Sequence, residues 1–448
     1  MSRCAPGLEA GYPTDLEQLS SMGGALPFVT NAPTIAWETL RAHGNLGEAL
    51  RRILLRHEAL SLRLRLGPLP VTLTADPELS RQLLLGHSRC QKARWERRVL
   101  GPVMEGGTII LEDEEWKEHR HAIAPTFSAS SLRKLSGLVS RAARSRLMHW
   151  HGPVNVSHEM RCMLNDAIST YFLDGPMDER RCPMSMDDLT VRFARVEEGL
   201  EDHVLDRWGV SDRFQALFSR NLSFDRALAD VTSFIRTAIE SAGTSAVDAP
   251  ASSLRILLTR LPSADSALKE IRTLLAAGMT TAHLLSWLLY LVAKHPRVQQ
   301  RLRAAIDVDA PEDGLYVNAV VNEGLRLYPP APFLLRETAQ GLIFISLWAM
   351  HRHTRFWSEP ETFQPERWLE PGPDGCDRLV QPRAFIPFGS GPRTCVGKRF
   401  AQIEAATVLK EALRRFRLLE PVGPDPSVKV AVLTRPAKDI RIEMQRLP

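Results

Sequence analysis

One run of the sequence must be hidden from water however the rest of the chain folds. The segment LLAAGMTTAHLLSWLLYLVA, from Leu274 to Ala293, carries no full charge over 20 residues, which is long enough to cross a bilayer. Polar residues such as Thr280 and His283 interrupt it, charged residues border it closely, and the chain has no second run of this kind. We therefore predict the buried central helix of a globular core, with a membrane-spanning helix as the alternative.

The remaining periodicity is mostly helical. Segments such as SLRKLSGLVSRAARSRLMHW and HPRVQQRLRAAI repeat apolar residues at spacings of three and four with arginines between them. Period-two alternation is confined to short pieces, which predict an early hairpin (LSLRLRLG with PVTLTAD) and a late one (SVKVAVLTRP with DIRIEMQRL). The sequence predicts a mainly α protein with small β-sheets, folded as one large domain over residues 1–448, with a short flexible N-terminus over about 1–25.

Composition narrows the functional classes. The chain is 44% hydrophobic and 24% charged, and its net charge of +5 comes from basic residues spread along the whole length, which argues against nucleic-acid binding. Its six cysteines form no CxxC pair, so neither a zinc knuckle nor a disulfide framework is indicated. The N-terminal residues lack the pattern of a signal peptide or membrane anchor, and we expect a cytoplasmic protein.

One cysteine lies in an unusual setting. The segment FGSGPRTCVG, from Phe388 to Gly397, surrounds Cys395 with three glycines, and a helical pattern resumes just after it. Free amides at a helix start favour a thiolate, which predicts a lowered pKa for Cys395, and glycines let a large flat group approach the backbone. A thiolate is a strong axial ligand of haem iron, whereas a lone cysteine in a glycine-rich turn is more often structural.

The full pattern resembles the haem-binding signature of the cytochrome P450 family, F-x-x-G-x-R-x-C-x-G. Phe388, Gly391, Arg393, Cys395 and Gly397 match its five fixed positions. The resemblance implies the cytochrome P450 fold and haem b as cofactor. It assigns the iron to Cys395 and a haem propionate to Arg393.

Two further motifs resemble the same family. In NEGLRLYPP, Glu323 and Arg326 match its E-x-x-R, and PERW supplies Arg367 as the third member of a buried structural triad. Trp116 and Arg120 in WKEHR match the W-x-x-x-R helix. The resemblance implies that this helix, with His119, and the later Arg336 bind the cofactor, since a guanidinium pairs well with a propionate.

The central run itself resembles the oxygen-activation motif of the family, small-Gly-x-acid-Thr-Thr, at Ala276 to Thr281. Thr280 falls at the hydroxyl that helps deliver protons to dioxygen, and Thr281 follows as a second catalytic candidate. Ala277, a predicted cofactor contact, replaces the usual glycine. Met279 replaces the usual acid, and a thioether cannot relay a proton. Substrate contacts are predicted at Ala276, Met279, Pro332, Phe333 and Leu334, with the loop WERRVLGPVMEGGTII.

The segment ETAQGLIFISLWAM, between Arg336 and His351, is about a dozen residues shorter than the resemblance leads us to expect, and the loss of a hairpin there is expected to expose a sheet edge.

The resemblance implies a haem-thiolate monooxygenase that inserts one oxygen atom of dioxygen into a hydrophobic or amphipathic small molecule. Its electrons are expected from a separate ferredoxin or flavodoxin. Arg393, Lys398 and Arg399 are consistent with a surface that attracts this acidic partner and equally with a solvated helix start. Two alternatives stay open. Met279 is consistent with a haem-thiolate enzyme that uses peroxide or catalyses a rearrangement, and the shortened segment is consistent with a haem-binding protein without catalysis.

Overall fold

The computed structural model describes residues 28–30, 35, 38, 41–42, 44–66, 69–85, 91–175, 184–206, 222–242, 252–307, 314–372 and 377–448. The N-terminal segment predicted to be flexible lies outside these residues. Helices in the described ranges are α1 (Leu46–Arg56), α2 (Pro77–Leu85), α3 (Arg94–Met104), α4 (Asp113–Ile123), α5 (Ala129–Leu147), α6 (Val156–Phe172), α7 (Met186–Asp206), α8 (Leu222–Ala242), α9 (Ser253–Arg260), α10 (Ala264–Lys294), α11 (Pro296–Asp307), α12 (Leu315–Leu327), α13 (Leu347–Met350) and α14 (Lys398–Arg415).

The strands are short, as the sequence predicts. They are β1 (Phe28–Thr30), β2 (Ser61–Leu66), β3 (Leu69–Thr74), β4 (Gly152–Asn155), β5 (Phe333–Thr338), β6 (Gly341–Ser346), β7 (Leu369–Pro371), β8 (Asp377–Leu379), β9 (Phe416–Pro421), β10 (Val428–Val430), β11 (Thr434–Pro436) and β12 (Arg441–Arg446). The expectation of a mainly α protein with small sheets is confirmed.

Helix α10 is the centre of the core. Ser263 caps its first turn by accepting a hydrogen bond from the amide of Ser266, which satisfies one of the free donors at a helix start. The helix is long and apolar enough to cross a membrane, but 78% of its most apolar window is buried inside the protein. The structure therefore contains the buried central helix predicted from the sequence.

The largest sheet has five strands in the order β1-β2-β3-β6-β5. The early hairpin is confirmed, since β2 and β3 pair antiparallel from Ser61 opposite Thr74 to Leu66 opposite Leu69. Strands β5 and β6 pair antiparallel in the same sheet and are joined by a tight turn that leads into Gly341. At Gly341, φ is +124° and a Cβ atom would lie 2.3 Å from the carbonyl oxygen of Pro70, so a side chain is excluded there.

The shortened segment still contributes to the main sheet. Part of it forms β6, which pairs with β5 along its full length. The edge strand β5 is also partly covered: Gln91 and Glu337 exchange two backbone hydrogen bonds, of 3.1 and 2.9 Å. Strand β5 is therefore the edge of the sheet, as expected, and the bridge at Glu337 covers one point of it.

The late hairpin was predicted with the wrong partners. Strands β10 and β11 pair with each other inside SVKVAVLTRP. Strand β12, from the segment DIRIEMQRL, instead lies between β4 and β9 in a three-stranded sheet. Alternation along a strand shows which residues face the core, but not which distant strand completes the ladder.

Candidate functional site: a thiol loop beneath the central helix

The loop before α14 is closed by its own backbone. The amide of Cys395 donates to the carbonyl of Phe388 at 3.0 Å, and the amide of Thr394 donates to the carbonyl of Gly391 at 3.0 Å. Gly391 has a φ of +72°, and a Cβ atom there would lie 2.2 Å from the carbonyl oxygen of Leu84. The loop can therefore pack against the end of α2 only if this residue is glycine. Gly397 caps α14, so Cys395 lies just before the helix start.

The thiol of Cys395 is accessible, yet protein surrounds it closely enough to remove most of its hydration. This burial raises the pKa of Cys395, although a hydrogen bond from the amide of Gly397 and the charge of Arg120 both act to lower it. The lowered pKa predicted from the helix start is therefore wrong, because the loss of hydration outweighs the helix end. A metal cation deprotonates a thiol that coordinates it, so the group still fits the role of an iron ligand.

Three guanidinium groups lie around this loop. Arg120 donates to the carbonyl of Thr394 at 3.0 Å. Arg393 donates to the carbonyl of Leu111 at 2.6 Å and stacks 4.1 Å above the ring of Trp116. Burial lowers the pKa of both Arg120 and Arg393.

Arg336 adds a third cation from β5, where it is buried and its charge lowers the pKa of Arg393 further. Crowded, partly dehydrated cations of this kind are stabilised by an anion bearing carboxylates. The donor set of one thiol and three guanidinium groups therefore fits haem with its two propionates.

His119 does not join this group. Its Nδ1 lies 3.2 Å from a carboxylate oxygen of Glu270 on α10, and the same oxygen accepts a hydrogen bond from the amide of Thr108 at 2.9 Å. His119 and Glu270 are both buried. The ring therefore ties α4 to α10, whereas Trp116 and Arg120 on the same helix lie at the thiol loop.

The structure brings Glu323, Arg326 and Arg367 together behind the loop. Glu323 accepts two hydrogen bonds of 2.8 Å from Arg326 and one of 3.1 Å from Arg367. The indole of Trp368 and the amide of Gln364 each add another at 2.9 Å. The side chains of Glu323 and Arg326 are both fully buried.

These contacts extend to the thiol loop through His351. Arg326 donates to the carbonyl of His351 at 2.9 Å, and the ring Nε2 of His351 accepts the amide of Ile386 at 3.3 Å. Burial and the nearby arginines lower the pKa of His351 to about 3, so the ring is neutral and free to accept. Ile386 begins the turn that leads to Cys395, which links the triad to the position of the loop.

Helix α10 is buried on nearly all sides but keeps one partly accessible face. Ala276 and Ala277 lie on that face with Thr280, which follows them by four and three residues, whereas Met279 is 4% exposed. The hydroxyl of Thr280 donates to the carbonyl of Ala277 at 2.7 Å. Small side chains here leave room for a flat cofactor beside the helix.

Thr281 points to a different neighbour. Its hydroxyl contacts the carboxyl of Glu404 on α14, and burial raises the pKa of Glu404 to about 8. Glu404 is thus a neutral acid at pH 7, positioned between the central helix and the helix that follows Cys395.

The predicted substrate contacts on β5 divide between its two faces. Leu334 lies against the loop, 3.7 Å from where a Cβ atom of Gly389 would be, and alternation places Arg336 on the same face. Phe333 lies on the other face, where its ring contacts that of Phe344 at 5.9 Å. Pro332 precedes the strand and accepts the amide of Trp348 at 3.2 Å.

A small apolar cluster adjoins Ala276 on the side of α10 that faces α3, α7 and α8. Its buried members are Val103, Val196, Leu200, Phe224 and Ala227. Val103 belongs to the segment predicted as a substrate-contacting loop, which instead forms α3 as far as Met104. The residues of α7 and α8 have no motif that marks them in the sequence.

Among the described residues, one group away from the loop has metal-ligand chemistry. The side chains of His158, Cys162 and Asp187 lie within 4.8 Å of one another. Arg146 donates a hydrogen bond of 3.0 Å to one carboxylate oxygen of Asp187, and Cys162 contacts the same oxygen. Arg146 thus supplies the positive charge that a metal would bring. This group is satisfied without an ion.

Comparisons with known proteins agree with this geometry. The family model described as Cytochrome P450 matches residues 24–444. Cyclooctatin synthase of Streptomyces melanosporofaciens is 26% identical over 445 residues, which cover 91% of this chain and 90% of that protein. Cytochrome P450 3A9 of Rattus norvegicus is 28% identical over 403 residues, which cover 78% of this chain and 77% of that protein.

Among solved structures, a 6-coordinated cytochrome P450 from Thermus thermophilus shares the fold. Its TM-score is 0.67 at 24% identity, and the match covers 88% of this chain and 98% of that one. The family match spans nearly the whole sequence. This chain therefore belongs to the cytochrome P450 family, whose members are oxidoreductases that bind haem b.

Proposed function

We propose that this protein is a haem-thiolate monooxygenase that inserts one oxygen atom of dioxygen into an apolar or amphipathic small molecule, the other atom leaving as water. The observation that carries the proposal is the accessible thiol of Cys395, in a loop surrounded by Arg120, Arg336 and Arg393. These residues would hold the iron and the propionates. When bound, haem supplies the oxygen activation, favoured by electron donation from a thiolate.

The chain supplies the binding site and orients the substrate. Ala276 and the apolar cluster of α3, α7 and α8 would cover the substrate, with Leu334 contributing from β5. Mostly apolar walls bind by burial and select for hydrophobic molecules. Thr280 supplies a hydroxyl on the accessible face of α10.

We expect the electrons to come from a separate ferredoxin or flavodoxin in the cytoplasm. Arg399 is exposed and suits an acidic partner, and Lys398 is partly exposed. Arg393 does not serve this purpose, because its guanidinium points inward to Leu111 and Trp116.

The ligand assignment is tested by the reduced carbon-monoxide difference spectrum of the purified holoprotein. Cys395→Ser should abolish the long-wavelength absorption band that a thiolate ligand produces. Cys162→Ser is the matched control, because Cys162 is also a free cysteine and lies away from the loop. An unchanged spectrum in Cys395→Ser would reject the proposal.

The reaction type is tested with three apolar probes: lauric acid, progesterone and geranylgeraniol. Each is offered with dioxygen and a surrogate ferredoxin system, and separately with hydrogen peroxide. The proposal predicts product in the first reaction. Met279 motivates a second candidate, a peroxide-dependent enzyme, because no acid stands at this position to pass on a proton. Product from peroxide alone would favour that candidate.

A further inference from the structure

His283 is an ionisable side chain buried in the central helix. It is 2% exposed, and it follows Met279 by four residues and Thr280 by three. Side chains at these spacings are neighbours on a helix surface, with Cβ atoms about 5–6 Å apart. His283 therefore lies on the same side of α10 as the position where the acid is missing.

The ring is held by a carboxylate from another helix. The Nε2 of His283 lies 2.8 and 3.0 Å from the two carboxylate oxygens of Glu197 on α7. Burial acts to raise the pKa of Glu197, but the interactions with His283 and Arg435 outweigh it and lower the pKa below its ordinary value. Glu197 is thus ionised.

A second carboxylate fixes this arrangement. Glu201, one turn further along α7, pairs with Arg435 at 2.6 Å and with Lys429 at 2.5 Å. The guanidinium of Arg435 also lies 3.6 Å from Glu197. The network joins α7, α10 and the β10–β11 hairpin, and it holds the imidazole in one orientation.

The other ring nitrogen has no such partner. Among the described residues, none forms a hydrogen bond with Nδ1 of His283, although this atom is buried. A buried polar atom left unpaired is costly, and proteins usually satisfy such an atom with an ordered water. The hydroxyl of Thr280 donates its hydrogen bond to the carbonyl of Ala277, so its oxygen is free to accept a hydrogen bond from another group.

We propose that His283, oriented by Glu197, delivers protons toward Thr280 in place of the acid that Met279 cannot supply. This inference rests on the proposed monooxygenase function. In each delivery, the ring releases one proton from Nδ1 to a water beside Thr280. It keeps the proton that Nε2 shares with Glu197, and it regains a proton at Nδ1 from solvent. No electron moves in this step, and two deliveries supply the two protons that one dioxygen requires.

The first test uses His283→Gln in the holoprotein, with the probe that gives product in the dioxygen reaction. Product formed per electron pair should fall by about 100-fold, the lower end of the range typical of a lost acid–base group, with hydrogen peroxide released instead. The hydrogen-peroxide reaction should be unaffected, because peroxide brings its own protons. Ser286→Ala is the matched control, since Ser286 is a buried polar residue of the same helix that donates only to Ala282.

Rescue separates proton delivery from a structural role. Adding Met279→Asp to His283→Gln should restore most of the lost coupling, whereas a carboxyl at position 279 cannot repair a missing tie to Glu197. A crystal structure should also show a water within about 3 Å of Nδ1 of His283.

Unchanged coupling in His283→Gln, or a dry Nδ1, would overturn the inference while leaving the monooxygenase function intact. Loss of both the dioxygen and the peroxide reactions without rescue would assign His283 a structural role. If the wild-type protein forms no product with dioxygen, the proposed function fails, and this inference fails with it.

Discussion

Replacing Glu323 by Gln removes one charge from the most buried ion pair of the site and changes little else in shape. Glu323 accepts five hydrogen bonds, two of them from the fully buried Arg326. An amide has one acceptor oxygen, so its nitrogen must face a donor. At least one charge-assisted bond is lost, worth about 1.5–3 kcal/mol.

The larger part of the cost comes from the cation that remains. In Glu323→Gln, the buried guanidinium of Arg326 keeps only neutral partners, among them the backbone carbonyls of His351 and Thr362. Removing one partner of a buried pair typically costs about 3–5 kcal/mol, and we expect a loss of unfolding free energy in this range. Because Arg326 also supports His351 and hence Ile386, haem retention should fall as well.

The measurement is urea unfolding of the holoprotein followed by circular dichroism, with haem absorbance recorded in parallel. Glu114→Gln is the matched control, because Glu114 pairs with Lys117 at the same three-residue spacing, yet its side chain is 77% exposed. The control should unfold like the wild type. If the two variants lose the same small amount of stability, the argument from burial is refuted.

Three further changes test other parts of the structure. Gly391→Ala should cost several times more stability than Gly423→Ala. Both residues have positive φ, but only at Gly391 would a Cβ atom lie 2.2 Å from a backbone oxygen. Equal losses in thermal unfolding would refute this contact. As the pH rises from about 4.5 to about 8, Glu404→Gln should become more stable than the wild type by up to about 1.4 kcal/mol per pH unit. The unfolded chain ionises Glu404 in that window while the fold keeps it neutral, and a difference that does not change with pH in urea titrations would contradict its raised pKa. Thr280→Ala should divert electrons from product to hydrogen peroxide in the dioxygen reaction, and unaltered coupling would count against a role for the hydroxyl.

The parts of the site that sequence reasoning reached are those encoded by neighbouring residues. The glycines around Cys395 and the three-residue spacing of Glu323 and Arg326 are local, because a turn and a helix face are each set within a few positions. The apolar run of α10 likewise predicts its own burial, since so many apolar side chains have no other place in a globular protein.

Contacts between distant elements were missed for the opposite reason. Nothing near His119 indicates that Glu270 is its partner, and nothing near β12 indicates β4. The pKa of Cys395 was predicted in the wrong direction because the helix start is visible in the sequence, whereas the surrounding protein that removes water is not. His283 did carry a signal, as an ionisable residue inside an uncharged run of 20 residues.

The buried carboxylate of Glu323 and the buried imidazole of His283 differ in what they leave unsatisfied. Around Glu323, five donors serve two oxygens, so the group has nothing left to offer a substrate or a water. The Nδ1 of His283 on α10 has no partner among the described residues, nor does one carboxyl oxygen of Glu404 on α14. Native proteins seldom keep such atoms buried without a use for them. The carboxylate of Glu323 has no acceptor capacity left and can only hold the loop of Cys395 in place, whereas the role proposed for His283 depends on a water that completes its open Nδ1.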